Sequence, residues 1–112
     1  MAADDDRLSP RFRERLKASG ADLHVSAVTA FEFSDLQRRG RLGVVESLDG
    51  ILARFAMTIR AFPAAAWQLV ATLPDLHRDP VDRMLIAHAI DEGLTLVTAD
   101  KTIRRYPVQT LW

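Results

Sequence analysis

Three widely spaced carboxylates, Glu32, Asp82 and Asp100, carry the chemical interest of this sequence. Asp100 directly follows the apolar run Leu94-Thr95-Leu96-Val97-Thr98-Ala99. Asp82 lies in the first turn of a helix that opens at Asp79-Pro80. Glu32 lies about two turns into a helix that follows the apolar run Leu23-His24-Val25-Ser26. Carboxylates drawn from separate elements to one spot repel one another, and a divalent cation relieves that repulsion. The same cation would activate water and stabilise charge on a phosphodiester. The chain has no cysteine and three histidines, so a metal site must be built mainly from oxygen. Such a set suits hard cations, Mg²⁺ or Mn²⁺.

Each of these residues also has a simpler employment. Asp82 can reach back to the helix start as the partner in a capping box. Asp100 can be an ordinary turn aspartate, and Glu32 a surface glutamate, although Ala30, Phe31 and Phe33 around it are apolar. Asp79 reads as the N-cap and not as a ligand. His77 and His88 lack a partner at ligand spacing and read as non-ligands. Trp67 and Trp112 read as core, not as platforms for nucleobases.

The elements that must position these groups alternate between strand and helix. Ser9 and Pro10 open a helix to about Ala18, with a stop near Gly20. Leu23 to Ser26 reads as a buried strand, and Ser26 caps the helix that runs to Gly40. A helix follows from about Glu46 to Phe55, then an alternating strand from Met57 to Phe62. Pro63 opens a helix through Trp67 to Pro74. Asp79 and Pro80 begin the clearest helix, and Gly93 ends it. Leu94 to Thr98 and Val108 to Trp112 read as the last two strands. This alternation predicts an α/β fold with a mostly parallel central sheet. In such sheets the ligand site lies beyond the carboxyl ends of the strands, which is where the three carboxylates fall.

The 112 residues suit a single domain, 1–112. Fifteen basic residues balance fifteen acidic ones, so net charge gives no argument for nucleic acid. Arg38, Arg39 and Arg41 form one local basic group, and Lys101, Arg104 and Arg105 another. No run is long and apolar enough to cross a bilayer, and the start Met1-Ala2-Ala3-Asp4-Asp5-Asp6 is no signal sequence. The expected place is the cytoplasm, with no membrane partner.

The stretch from Leu76-His77-Arg78-Asp79-Pro80-Val81-Asp82-Arg83 to Ala89 closely resembles the signature of PIN-domain ribonucleases of the VapC toxin kind. So does Gly93-Leu94-Thr95-Leu96-Val97-Thr98-Ala99-Asp100. The segments around Val25 to Phe33, Arg38 to Leu42 and Pro107 to Trp112 resemble the same family less specifically. The resemblance implies a PIN-like three-layer fold and a metal-dependent endoribonuclease. It implies the toxin half of a type II toxin-antitoxin pair, inhibited by a cognate antitoxin and commonly a homodimer. On this chain Glu32, Asp82 and Asp100 would bind Mg²⁺ or Mn²⁺, and a water activated by the ion would cut RNA. Asp79 would cap the helix of Asp82, and Thr98 would assist near Asp100. Arg78 and Arg83 would contact phosphate or form structural ion pairs.

The family opens with a hydrophobic central strand ending in aspartate, and no such strand is visible after Met1. Asp4, Asp5 and Asp6 follow no strand and do not replace it. The expectation is a sheet that re-pairs or keeps an open edge. The alternative function is a catalytically impaired remnant that only dimerises or captures antitoxin. An open edge invites association, so light scattering of the concentrated chain is expected to detect species larger than a monomer; a monomer at every concentration would contradict this.

Overall fold

The computed structural model describes residues 14, 18, 20, 22–43 and 46–112. The helix expected from Ser9 and Pro10 lies outside them except for Glu14 and Ala18, both helical. Asp4, Asp5 and Asp6 lie outside them entirely. The described elements run in the order β1 (His24–Ser26), α1 (Ala27–Arg38), α2 (Leu48–Arg54), β2 (Thr58–Arg60), α3 (Ala66–Thr72), α4 (Pro80–Glu92), β3 (Leu96–Val97), a 3-10 turn (Ile103–Arg105) and β4 (Thr110–Leu111). The fold is α/β, as the alternation predicts.

Among the described residues the strands pair in parallel, as two two-stranded ladders. β1 lies beside β2, with Val25 opposite Ile59. β3 lies beside β4, with Leu96 opposite Thr110. Parallel strands need long crossovers, and α1 with α2 supplies one of them.

Local chemistry accounts for the helix boundaries. Ser26 Oγ accepts the Val28 N–H at 3.2 Å and starts α1. Ser47 Oγ accepts the Gly50 N–H at 3.1 Å and starts α2. Asp79 Oδ1 accepts the Val81 N–H at 2.9 Å, Pro80 takes the first helical position, and α4 follows. Gly93 ends it with φ +64°, a left-handed conformation that glycine adopts without penalty.

Helix α4 is the centre of the molecule. It packs against both α1 and α3. Its Ile86 and Ala89 join Leu96, Ile103 and Tyr106 in one buried cluster. Not every apolar residue joins a core. Trp67, expected inside, is 64% exposed, because α3 turns Ala66 inward instead.

A polar chain crosses the middle of the fold. His88, 3% exposed, donates from Nε2 to Glu92, and its Nδ1 lies 2.9 Å from Ser26 Oγ. With Nε2 directed at the Glu92 carboxylate, the other ring nitrogen is left to the Ser26 hydroxyl. Arg60 closes the chain with two N–H donors on Glu92, at 3.1 and 3.3 Å. The edge of Phe62 packs against the His88 ring. The chain therefore joins β2, α4 and the start of α1. The Arg60 hydrogen bond, against a smaller opposing effect of burial, holds the Glu92 carboxyl below its ordinary value, and His88 adds to this.

A depressed folded value means that the Glu92 contribution is complete above the unfolded pKa and is lost as pH falls through the folded one. The parent should lose stability on acidification through that range more steeply than Glu92→Gln, as read by denaturant melts across pH. His88→Ala should cost about 2–4 kcal/mol, since it empties a buried site and strands the Ser26 hydroxyl.

Candidate metal centre

Asp82 occupies the third position of α4, where the helix N-terminus favours negative charge. Asp100 leaves the end of β3 and is fixed by its own loop. Its Oδ1 accepts the Thr102 N–H at 2.7 Å and the Ile103 N–H at 3.3 Å. Thr98 Oγ1 accepts the Asp100 N–H at 3.1 Å, so the threonine positions the backbone of the aspartate. Oδ2 of Asp100 is left to face the start of α4.

His77 stands between the two carboxylates. Its Nε2 lies 3.1 Å from Asp82 Oδ2 and 3.3 Å from Asp100 Oδ2. Ligand atoms of His77, Asp82 and Asp100 all fall within 4.8 Å of one another. His77, read from sequence as a non-ligand, is thus at the centre of the site. The capping-box expectation for Asp82 is corrected in the same place: the Asp79 N–H goes to His77 Nδ1 at 3.2 Å, leaving the Asp82 carboxylate to His77 Nε2.

Glu32 is not among the atoms within that group. It faces it across the α1–α4 contact and feels its charge. Burial, then Asp79, then Asp82 raise the Glu32 carboxyl above its ordinary value. Burial and Asp79 likewise raise Asp82; His77 lowers it, and Asp100 raises it further. At Asp100 burial acts upward, but the N–H groups of Thr102 and Ile103 together with His77 leave its value lowered. Four acidic groups therefore share one field, and their carboxylate oxygens suit a hard divalent cation.

A second layer holds this arrangement. The Tyr106 hydroxyl, on a residue 3% exposed, accepts the N–H groups of Leu76 at 3.2 Å and His77 at 2.7 Å. Arg83, for which the sequence leaves open a phosphate contact or a structural ion pair, is committed here to main-chain carbonyls. Its Nη1 donates to Pro74 O at 2.8 Å and its Nη2 to Val70 O at 2.9 Å and Leu73 O at 3.3 Å. Helix α3 has no basic residue in its last turn, and Arg83 satisfies those terminal carbonyls from α4. Arg78 is exposed beside the site. The two basic groups read from sequence are on the surface, and Arg38 and Arg39 pair with Asp35.

The α/β fold with parallel strands is compatible with a PIN domain. The chain belongs to that family: the PIN domain model matches residues 1–109. Among curated proteins it is similar to Ribonuclease VapC22 of Mycobacterium tuberculosis (strain ATCC 25618 / H37Rv). The two are 31% identical over 118 aligned positions, covering 99% of this chain and 89% of that protein.

Tyr106→Phe removes the acceptor shared by two main-chain N–H groups. It should cost about 1–3 kcal/mol in denaturant unfolding. A change within error would mean that water replaces the hydroxyl without loss.

Proposed function

We propose that this chain is a metal-dependent endoribonuclease, the toxin of a type II toxin-antitoxin pair, held inactive by a cognate antitoxin protein. The supporting observation is that Asp82 and Asp100, from separate elements, are fixed close enough for one atom to lie 3.1 and 3.3 Å from both. The similarity to a protein named as a ribonuclease favours RNA as the substrate.

In this reading Asp82 and Asp100 hold Mg²⁺ or Mn²⁺, and Glu32 completes the set from α1. The bound ion supplies charge neutralisation and a Lewis acid for phosphodiester hydrolysis. The protein groups position and orient. Asp79 caps α4 and so fixes the direction of the Asp82 side chain. Thr98 fixes the Asp100 backbone. Arg78, exposed beside the acidic cluster, meets the RNA phosphate that the carboxylates alone would repel. The exposed apolar side chains Phe31, Ile59 and Trp67 offer contact area for antitoxin or for a second copy in a homodimer.

One observation favours a weaker form of this reading, an impaired PIN domain kept for binding. Glu32 is coupled to the cluster electrostatically but stands outside its closest group. Misplacement by about 1 Å can cost roughly a hundredfold in rate.

Two measurements separate these. Mn²⁺ at 100 times its dissociation constant should stabilise the parent by about 2.7 kcal/mol, seen as a raised Tm, but not Asp82→Asn or Asp100→Asn. Cleavage of total transfer RNA should need Mg²⁺ or Mn²⁺ and fall on the order of 100-fold or more in either variant. A Mn²⁺ shift without cleavage would leave the binding role; no shift would overturn the metal reading.

A further inference from the structure

Ser26, His88 and Glu92 stand in hydrogen-bonded series. Ser26 Oγ lies 2.9 Å from His88 Nδ1, and His88 Nε2 is directed at Glu92 Oε1. This is the order of groups that activates a serine hydroxyl: a nucleophile, a base, and a carboxylate that orients the base. His88 and Glu92 are four residues apart on α4 and so share a face. Arg60 holds the far end, its Nε and Nη2 donating to the two Glu92 oxygens at 3.1 and 3.3 Å. The imidazole, 3% exposed and packed against the edge of Phe62, is therefore held in one orientation.

The serine also has a suitable place in the chain. Ser26 ends β1 and caps α1, so it sits on a strand-to-helix turn. The first N–H groups of a helix have no partner within it, and they favour developing negative charge. A hydroxyl has one proton and two lone pairs. One lone pair of Ser26 Oγ accepts the Val28 N–H at 3.2 Å, which leaves the proton for His88 and the second lone pair for attack. Ser26 is half-buried and lines a cleft that reaches from β1 and β2 to β3. Leu85, Ala89, Leu94 and Leu96 wall that cleft, together with His24 and Arg60.

We propose that Ser26 and His88 form a second catalytic site, independent of metal, that hydrolyses esters of short aliphatic acids. It shares no side chain with the cluster at Asp82 and Asp100 and does not rest on the metal reading. Ser26 Oγ attacks the ester carbonyl carbon, and its proton passes to His88 Nδ1. His88 hands that proton to the departing alcohol as the C–O bond breaks. Water then attacks the acyl-serine and gives a proton to His88, which returns it to Ser26 Oγ as the acid leaves. Glu92 is a positioning residue: it acts through His88, orienting the ring and stabilising it while it carries the extra proton. The leucines of the cleft suit an aliphatic acyl chain.

The test gives the full chain, in EDTA, para-nitrophenyl butyrate as substrate and, separately, a fluorophosphonate that labels activated serines. The parent should hydrolyse the ester and carry the phosphonate on Ser26, located by peptide mass spectrometry. Ser26→Asn keeps a capping side chain and removes the nucleophile, so hydrolysis should fall on the order of 100-fold or more. Glu92→Gln should lower kcat on the order of 10-fold or more and leave KM unchanged. A parent labelled elsewhere or not at all would overturn the proposal. So would hydrolysis undiminished in Ser26→Asn, or a label on Ser26 without turnover; an unchanged kcat in Glu92→Gln would remove Glu92 from it. Should either variant fail to show a cooperative melt, the parent alone decides, by the position of its label together with its turnover.

Discussion

Mutual repulsion between carboxylates is the constraint around which this molecule is arranged. Asp79, Asp82, Asp100 and Glu32 come from three separated stretches of sequence and share one field. Water would disperse that charge if the groups were fully exposed. Here Asp82 is only 27% exposed, so the fold must oppose the repulsion with fixed partners. The partial positive charge of the α4 N-terminus is one. The N–H groups that grip Asp100 Oδ1 are another, and His77 Nε2, hydrogen-bonded to Asp100 Oδ2 and 3.1 Å from Asp82 Oδ2, is the third. Each of these is weaker than a divalent cation in the same place, which is why the arrangement reads as a site and not merely as a cluster.

Holding such a cluster requires stiff supports, and α4 supplies them in two directions. Its apolar face is buried with Leu96, Ile103 and Tyr106, which ties the Asp82 end to the loop that carries Asp100. Its polar side carries His88 and Glu92, which tie it to Ser26 at the start of α1 and to Arg60 on β2. Glu32 rides on α1, so the same polar chain sets its approach to Asp82. Arg83 and Tyr106 then lock the segment between α3 and α4, where His77 is held. Stability and positioning use the same side chains, and a substitution at His88 or Tyr106 acts on both.

Much of this was legible in the sequence wherever the signal was local. Ser26, Asp79-Pro80 and Gly93 mark helix ends through chemistry completed within a few residues, and the structure follows them. The apolar run before Asp100 marks β3 for the same reason, and the motifs resembling PIN domains extend from it. What could not be read depends on residues far apart in the chain. His77 precedes the helix, so no ligand spacing relates it to Asp82, and its second partner arrives 23 positions later. Arg83 sits in a motif that suggests phosphate, but its role is decided by the unsatisfied carbonyls at the end of α3. Trp67 shows that apolar character alone does not assign a side to a short helix. The capping box failed through competition: a histidine two residues before Asp79 reaches its N–H ahead of the aspartate three residues after it.

The central claim is that Asp82 and Asp100 form one divalent-cation site. The most direct measurement is a crystal structure with Mn²⁺, using its anomalous scattering to locate the ion. The account predicts a single strong peak between the carboxylates of Asp82 and Asp100, with the Glu32 side of the cluster turned toward it. A fully occupied ion elsewhere, or no peak at that position in crystals saturated with Mn²⁺, would contradict it.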